Sequence, residues 1–202
     1  DLFAGTTSGV FKSINNGATW VATNNGLTST SVSSMVVKGS TIFAGTSTNG
    51  VFKSADNGAS WTAVNTGLGS TFVRGFALNG TTLFVVTGGG GVYKLIDNST
   101  IWAAANNGLT STAGTAFAVS GTTIFVGMFD GVFKSTDDGA NWTAASSGLS
   151  NLFINSLLVS GSNLFAGTSG GGVFLSANSG TSWANISSDL TDLNIFSLAN
   201  SG

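Results

Sequence analysis

Eight aspartates are the whole acidic complement of this 202-residue chain, so any acid–base or metal chemistry has to begin with them. Proton transfer in enzymes draws most often on His, then on carboxylates, Lys, Tyr or Cys. The chain has no His, no Cys, a single Tyr (Tyr93) and a single Arg (Arg74). A Ser-His-Asp triad is therefore excluded, as is any metal site built on imidazole or thiolate. No metal and no cofactor are expected. A two-carboxylate glycosidase needs its pair about 5–10 Å apart. However, Asp56, Asp97 and Asp137 occupy one position of a recurring motif and Asp138 stands beside it, which leaves Asp1, Asp130, Asp189 and Asp192 with no motif joining them. The inventory points away from an enzyme, with a degenerate glycoside hydrolase as the third reading.

The motif reads Ser-x-Asp/Asn-x-Gly-x-Ser/Thr-Trp and occurs five times. Its copies carry Asn15, Gly17 and Trp20; Asp56, Gly58 and Trp61; Asp97 and Trp102; Asp137, Gly139 and Trp142; and Asn178, Gly180 and Trp183. These are all the tryptophans of the chain, spaced 41, 41, 40 and 41 residues apart. A fixed period near 40 is the signature of a repeat architecture. A short Asp or Asn side chain bonds back to nearby backbone N–H groups, and Gly takes positive φ without steric cost, so the centre of each copy is a tight turn. Strand-forming residues flank it, as in Gly50-Val51-Phe52-Lys53 before and Trp61-Thr62-Ala63-Val64 after. In the third copy Leu95 replaces Ser, Ser99 replaces Gly and Ile101 replaces Ser/Thr, so this turn should be the least regular.

These residues match the Asp-box, or BNR repeat. The 40-residue unit resembles propeller repeats of the sialidase, sortilin and photosystem II assembly-factor type, and its phrasing is most similar to repeats of proteins exported by Bacteroidetes-type bacteria. The resemblance implies that the Asp-box is a structural turn away from the functional face. It also suggests sialidase chemistry, which in those enzymes takes three arginines, a Tyr nucleophile and a Glu. One Arg, one Tyr and eight acidic residues that are all Asp exclude it.

Each unit holds four strand candidates, in the second unit Ser34–Val37, Thr41–Gly45, Val51–Ser54 and Trp61–Val64, separated by turn residues. Four short antiparallel strands per period make a propeller blade; a parallel β-helix is the rival for a Gly-rich repeat. The expected fold is all-β, a five-bladed β-propeller in a single domain, with repeats at about 1–27 plus 193–202, 28–67, 68–108, 109–148 and 149–192. The composite first repeat follows from the ends. Residues 2–27 lack a first strand and Ile195–Ala199 read as a lone one, so the C-terminal strand is expected to close the ring and remove the exposed sheet edges. Phe3, Phe43, Phe84, Phe125 and Phe165, with Phe11, Phe52, Tyr93, Phe133 and Phe174, recur as blade-to-blade packing. Lys12, Lys53, Lys94 and Lys134 share one repeat position, which Leu175 breaks. Each lysine stem should lie along its own blade with the ammonium in water; a ring of four around an axis is also a candidate anion site.

A binding face should sit where the repeats disagree. By propeller analogy, the loops entering the first strand and those joining the second to the third share one rim. There Phe72, Arg74, Phe129, Asp130, Phe153, Asn155 and Phe196 stand outside the repeat pattern and are the candidate ligand-binding residues. Aromatic platforms flanked by Asn and Asp suit a sugar or a peptide.

Only 7% of residues are charged, with 42% apolar and a net charge of −2. That balance opposes disorder and offers no basic stripe for nucleic acid. No apolar run approaches the ~18–20 residues of a membrane span. The chain opens at Asp1 directly in a strand, as an excised or processed domain does, and an extracellular or cell-surface bacterial location beside neighbouring domains is expected. Four Asn-x-Ser/Thr sequons, at Asn79, Asn98, Asn141 and Asn185, are chance matches in so Asn-, Ser- and Thr-rich a chain. The expected function is a non-catalytic binding module for glycan or protein, with a structural spacer of a larger secreted protein as the alternative.

Overall fold

The structure is a computed structural model and describes residues 1–96 and 99–201; the Asp97 position of the third motif and the Asn98 sequon lie outside the described residues. Five antiparallel sheets follow one another along the chain. The first holds β1 (Leu2–Thr6), β2 (Gly9–Ser13) and β3 (Val21–Ala22); the second β4 (Val32–Lys38), β5 (Thr41–Thr46), β6 (Val51–Ser54) and β7 (Thr62–Ala63). The third holds β8 (Val73–Asn79), β9 (Thr82–Thr87), β10 (Gly91–Leu95) and β11 (Ala103–Ala104); the fourth β12 (Gly114–Ser120), β13 (Thr123–Met128), β14 (Gly131–Ser135) and β15 (Thr143–Ala144). The fifth holds β16 (Ile154–Ser160), β17 (Asn163–Thr168), β18 (Val173–Ser176) and β19 (Ala184–Asn185). Strands pair in sequence order within every sheet, as the repeat pattern requires of a blade.

The core is divided among the junctions between blades. One apolar cluster joins Val10 of the first blade to Val32, Ile42, Phe52 and Trp61 of the second, and another joins Phe43 and Val51 to Val73, Leu83 and Trp102. Phe84 and Val92 pack with Ile124, Phe133 and Trp142, and Phe125 and Val132 with Ile154, Phe174 and Trp183. No blade has a core of its own, so stability is a sum of nearest-neighbour interfaces, as in other repeat proteins. Burying one Phe stabilises by about 1.5–3 kcal/mol, so each junction is held chiefly by its aromatic residues.

The last strand of each blade is only two residues long, and in the second to fifth blades the Trp before it bonds the preceding blade. The Trp61 backbone N–H donates to the Asn25 carbonyl and its indole N–H to the Thr23 carbonyl, at 2.8 and 2.7 Å. Trp102, Trp142 and Trp183 repeat both bonds, with indole acceptors at Val64, Ala105 and Ala145.

The ring closure expected from the sequence is not shown: among the described residues no strand of the C-terminal segment joins the first sheet. The first sheet has three strands, and β1 pairs with β2 alone. The C-terminal segment lies instead along the fifth blade. The Ile195 N–H donates to the Thr168 carbonyl, the Asn155 amide to the Ile195 carbonyl, and the Leu198 N–H to the Ser156 hydroxyl. This is the slot an inner strand of a following blade would fill, but the segment meets its neighbour through β16 and β17 and forms no ladder with β1. The outcome is visible in burial: β1 is half exposed, whereas β9 is buried throughout.

Candidate functional site

At the Asp-box end of the blades the motif's polar side chains bond one another and the turn's backbone. The Ser54 hydroxyl accepts the Gly58 N–H at 2.8 Å and donates to Asp56, whose Oδ1 accepts the Ser60 N–H at 2.9 Å. The copies at Ser13, Ser135 and Ser176 reproduce these bonds with Asn15, Asp137 and Asn178. Side-chain hydrogen bonds from Ser60, then from Ser54, bring the Asp56 carboxyl down to about 2, and the Asn141 amide does the same for Asp137. Beyond the glycines, Asn16, Asn57, Asp138 and Ser179 also take positive φ, near 55°. Asn, Asp and Ser here are the trace of a second left-handed residue, and the sequence reading credited only the glycine. The centre of the third copy's turn lies outside the described residues. Beside it the Ser99 hydroxyl bonds the Ile101 backbone, and Trp102 stays buried and keeps its indole bond.

The lysines correct the sequence reading. Lys12, Lys94 and Lys134 do not end in water along their own blades. Each donates to the carbonyl of the left-handed residue in the following blade's turn: Asn57, Asp138 and Ser179, at 3.2, 2.9 and 3.3 Å. They are latches between blades, and Lys12 also pairs with the Asp1 carboxylate at 3.0 Å. For Lys53 the equivalent position, Asn98, lies outside the described residues. Asp138 adds a second tie, its two oxygens accepting from Asn79 and Thr82 of the preceding blade at 2.9 and 2.8 Å.

The opposite rim is built differently. In four blades the residue just before the first strand bonds the loop after the second: Ser47 to Ser31, Gly88 to Phe72, Phe129 to Ala113 and Ser169 to Phe153. The two loop sets thus share one rim, as expected. Next to each of these residues a β-bulge interrupts the register, between Val32 and Ser34, Val73 and Gly75, Gly114 and Ala116, and Ile154 and Ser156. A bulge re-aims the extra residue, which here is Ser33, Arg74, Thr115 or Asn155. Ser33 and Asn155 use it to bond the carbonyl forty residues on, at Val73 and Ile195. Arg74 does not; its guanidinium lies 4.2 Å above the ring of Phe72.

Of the seven candidates, the structure joins two groups. Arg74 and Phe72 form the first. In the second, Phe129 and Phe153, from adjacent blades, stack with centroids 4.1 Å apart and planes at 24°, each 39% exposed. Asp130 adjoins Phe129; its Oδ2 accepts from the Thr110 hydroxyl at 2.6 Å, and its buried Oδ1 has no partner among the described residues. Asn155 spends its amide N–H on Ile195, and Phe196 is exposed at 81% in the C-terminal segment. No ring contact or hydrogen bond links the two groups or brings Phe196 to either. Thr110 was missed because it sits in a regular repeat position, where Thr28 likewise receives a bond from Asn49. Among the described residues no three His, Cys, Asp or Glu side chains gather as metal ligands, and no helix is long and apolar enough to cross a membrane.

No protein-family model matches the chain, and no curated protein does. Solved structures do. The extracellular domain of the one-component system BT4673 of B. thetaiotaomicron superposes with a TM-score of 0.75 and 21% identity, over 90% of this chain and 25% of that one. The fold is that of an Asp-box β-propeller. An ancestral GH74 enzyme gives a TM-score of 0.79 at 20% identity, over 95% of this chain and 30% of its own. YCF48 bound to D1 peptide gives 0.68 at 15%, over 94% and 64%. The propeller segment described here thus spans about a quarter to a third of the length of the first two of these chains.

Proposed function

We propose that the chain is a non-catalytic binding module of an extracellular bacterial protein, and that it takes its ligand on the rim opposite the Asp-boxes. The observation that carries this reading is the Phe129–Phe153 stack beside Asp130. Two rings from separate blades stack on each other and stay partly exposed, and Asp130, whose buried Oδ1 has no partner among the described residues, follows Phe129 in the chain. Such a platform suits the apolar face of a sugar ring, with Asp130 accepting from a hydroxyl, or an aromatic or proline side chain of a peptide, with Asp130 accepting from its backbone N–H. The company of the fold supports the two classes equally, since one neighbour is a GH74 enzyme and another is bound to a peptide. The carboxylates speak against hydrolysis. Asp56, Asp137 and Asp138 are committed to turns and blade contacts, and Asp130 is half committed to Thr110.

Screening against a glycan array and a panel of peptides, with Phe129→Ala and Asp130→Asn as paired controls, tests the proposal. Loss of a binding signal by at least tenfold in Phe129→Ala, with thermal stability unchanged, is the expected result. A ligand that both variants bind as the parent does removes the assignment of the site. The structural spacer remains the second reading, favoured by the low charge of the blade sides, and it gains if no ligand in either panel binds.

A further inference from the structure

In every blade the loop joining the second strand of the repeat to the third (β1 to β2 in the first blade) ends on a glycine. The residue before that glycine is Ser8, Asn49, Gly90, Asp130 or Gly171. In four blades the peptide groups of this residue are met from inside the blade. Its N–H donates to the hydroxyl of the threonine that ends the preceding strand, Thr6, Thr46, Thr87 or Thr168, at 3.0–3.1 Å. Its carbonyl accepts from an asparagine amide, that of Asn24, Asn65, Asn106 or Asn185, at 2.8–3.3 Å.

The fourth blade lacks all of these partners. Met128, which carries no hydroxyl, stands at the threonine position. Ser146 stands where the first three blades have Asn24, Asn65 and Asn106, and its hydroxyl is held by the N–H and carbonyl of Val132. Ala144 stands where the fifth blade has Asn185. Among the described residues the backbone N–H and carbonyl of Asp130 therefore bond nothing. One unmet donor and one unmet acceptor thus sit on a single residue, next in the chain to Phe129 of the aromatic stack. Backbone groups demand partners, and a ligand that brings its own donor and acceptor can take the place of water there.

We propose that the backbone of Asp130 is the polar half of the rim site, and that it takes the acetamido group of an N-acetylated sugar whose ring lies against the Phe129–Phe153 stack. A secondary amide presents one N–H and one carbonyl, the complement of what Asp130 leaves open. The apolar face of a sugar ring suits the exposed part of the aromatic pair. The unmet pair is also isolated. An added peptide strand bonds alternate residues along an edge, but two places before Asp130 the Met128 backbone pairs with Gly131, and two places after it Val132 bonds Ser146. A single amide carried on a ring needs only the one residue. The inference rests on the reading of this rim as the binding face and names the class of its ligand.

The test compares two probes that differ in that amide: chitotriose, the N-acetylglucosamine trimer, and cellotriose, the glucose trimer of the same linkage. Each is titrated by calorimetry into the full chain. Chitotriose is expected to bind at least tenfold more tightly. Ser146→Asn, which copies the first three blades, should return an amide to the Asp130 carbonyl and erase that preference, with the melting temperature unchanged or raised. Ala144→Asn, at an exposed position and copying the fifth blade, should do the same and covers a failure of the first variant to fold. A parent that binds the two probes alike or binds neither overturns the inference, as does a preference that survives both variants. So does a parent that binds the blocked peptide acetyl-tyrosine methylamide as tightly as chitotriose. Phe129→Ala separates this inference from the reading beneath it. Binding without preference that Phe129→Ala still removes strikes only the acetamido assignment, whereas chitotriose binding indifferent to Phe129→Ala strikes the aromatic platform and the inference with it.

Discussion

The two rims of the propeller share one backbone plan and differ in what their side chains have left over. At the Asp-box rim the serine, the Asp or Asn and the glycine of each regular copy bond one another, and lysines from the preceding blade take the exposed carbonyls. At the other rim the backbone bonds recur from blade to blade, but the side chains upon them change: Ser31, Phe72, Ala113 and Phe153 in one loop, and Ser33, Arg74, Thr115 and Asn155 at the bulge. The first rim is where the repeats must agree because each copy is a structural part of the next. The second is free to vary because its bonds need only a peptide group, and variation left an aromatic stack and an unpaired carboxylate oxygen.

If that division is right, substitutions at the junctions beneath the Asp-box rim cost stability, and those on the other rim do not. The largest effect should come from Trp142→Ala. The side chain is buried between the third and fourth blades and its indole N–H donates to the Ala105 carbonyl. Truncating a buried Trp costs about 3–5 kcal/mol. Chemical denaturation should show it as a lower midpoint with an intact slope, and Trp20→Ala should cost less than half as much, because Trp20 is 41% exposed and its indole N–H meets no acceptor among the described residues. Equal losses from the two would mean that the junctions are not the source of stability.

A smaller contrast separates two glycines. At Gly108, φ is +91° and a Cβ would come 2.1 Å from the Trp142 carbonyl oxygen; at Gly89, on the variable rim, a Cβ would meet nothing within 4 Å. Gly108→Ala should cost about 1–3 kcal/mol through strain at a left-handed position and displacement of the tryptophan. Gly89→Ala should be neutral or stabilise by about 0.4–1 kcal/mol, since it narrows the unfolded ensemble. Thermal melts of the two variants check this, and a neutral Gly108→Ala would break the account of the junction.

How much of this was legible beforehand follows the same division. The period of the tryptophans, the turn residues between short β-branched runs and the agreement of five motif copies were enough for blades, strand order and a structural Asp-box. What stayed hidden were the interactions that cross from one blade to the next. A lysine at a repeat position looks the same whether it ends in water or on the carbonyl of Asn57, because the acceptor is a peptide group and leaves no mark on the sequence. The closure of the ring, which the sheets do not show, was illegible for a related reason. Ile195–Ala199 do read as an inner strand, but strand character says nothing about which edge the segment meets, and the segment lies against the fifth blade. On the variable rim the Phe129–Phe153 contact was anticipated only as a shared face; Thr110 was invisible because nothing distinguishes it from its repeat equivalents.

The smallest expected effect uses a difference within the Asp-box rim itself. Two copies are built on aspartate, Asp56 and Asp137, and two on asparagine, Asn15 and Asn178, with the same backbone bonds. In the aspartate copies the folded state holds the carboxyl at about 2, below its ordinary 3.8, so the folded protein prefers the ionised form. The stabilisation is fully present above 3.8 and is lost as pH falls toward about 2, because the unfolded chain takes up protons first. Both groups are exposed, which keeps the effect small. Asn15 and Asn178 do not titrate, so their turns should hold in acid. The double variant Asp56→Asn, Asp137→Asn should therefore lose less stability than the parent between 3.8 and about 2, with the two proteins alike near neutrality. Thermal melts across that interval decide it: parallel curves would show that the carboxylates are not what makes the Asp-box turns acid-sensitive, and that charge adds nothing to a turn an amide builds as well.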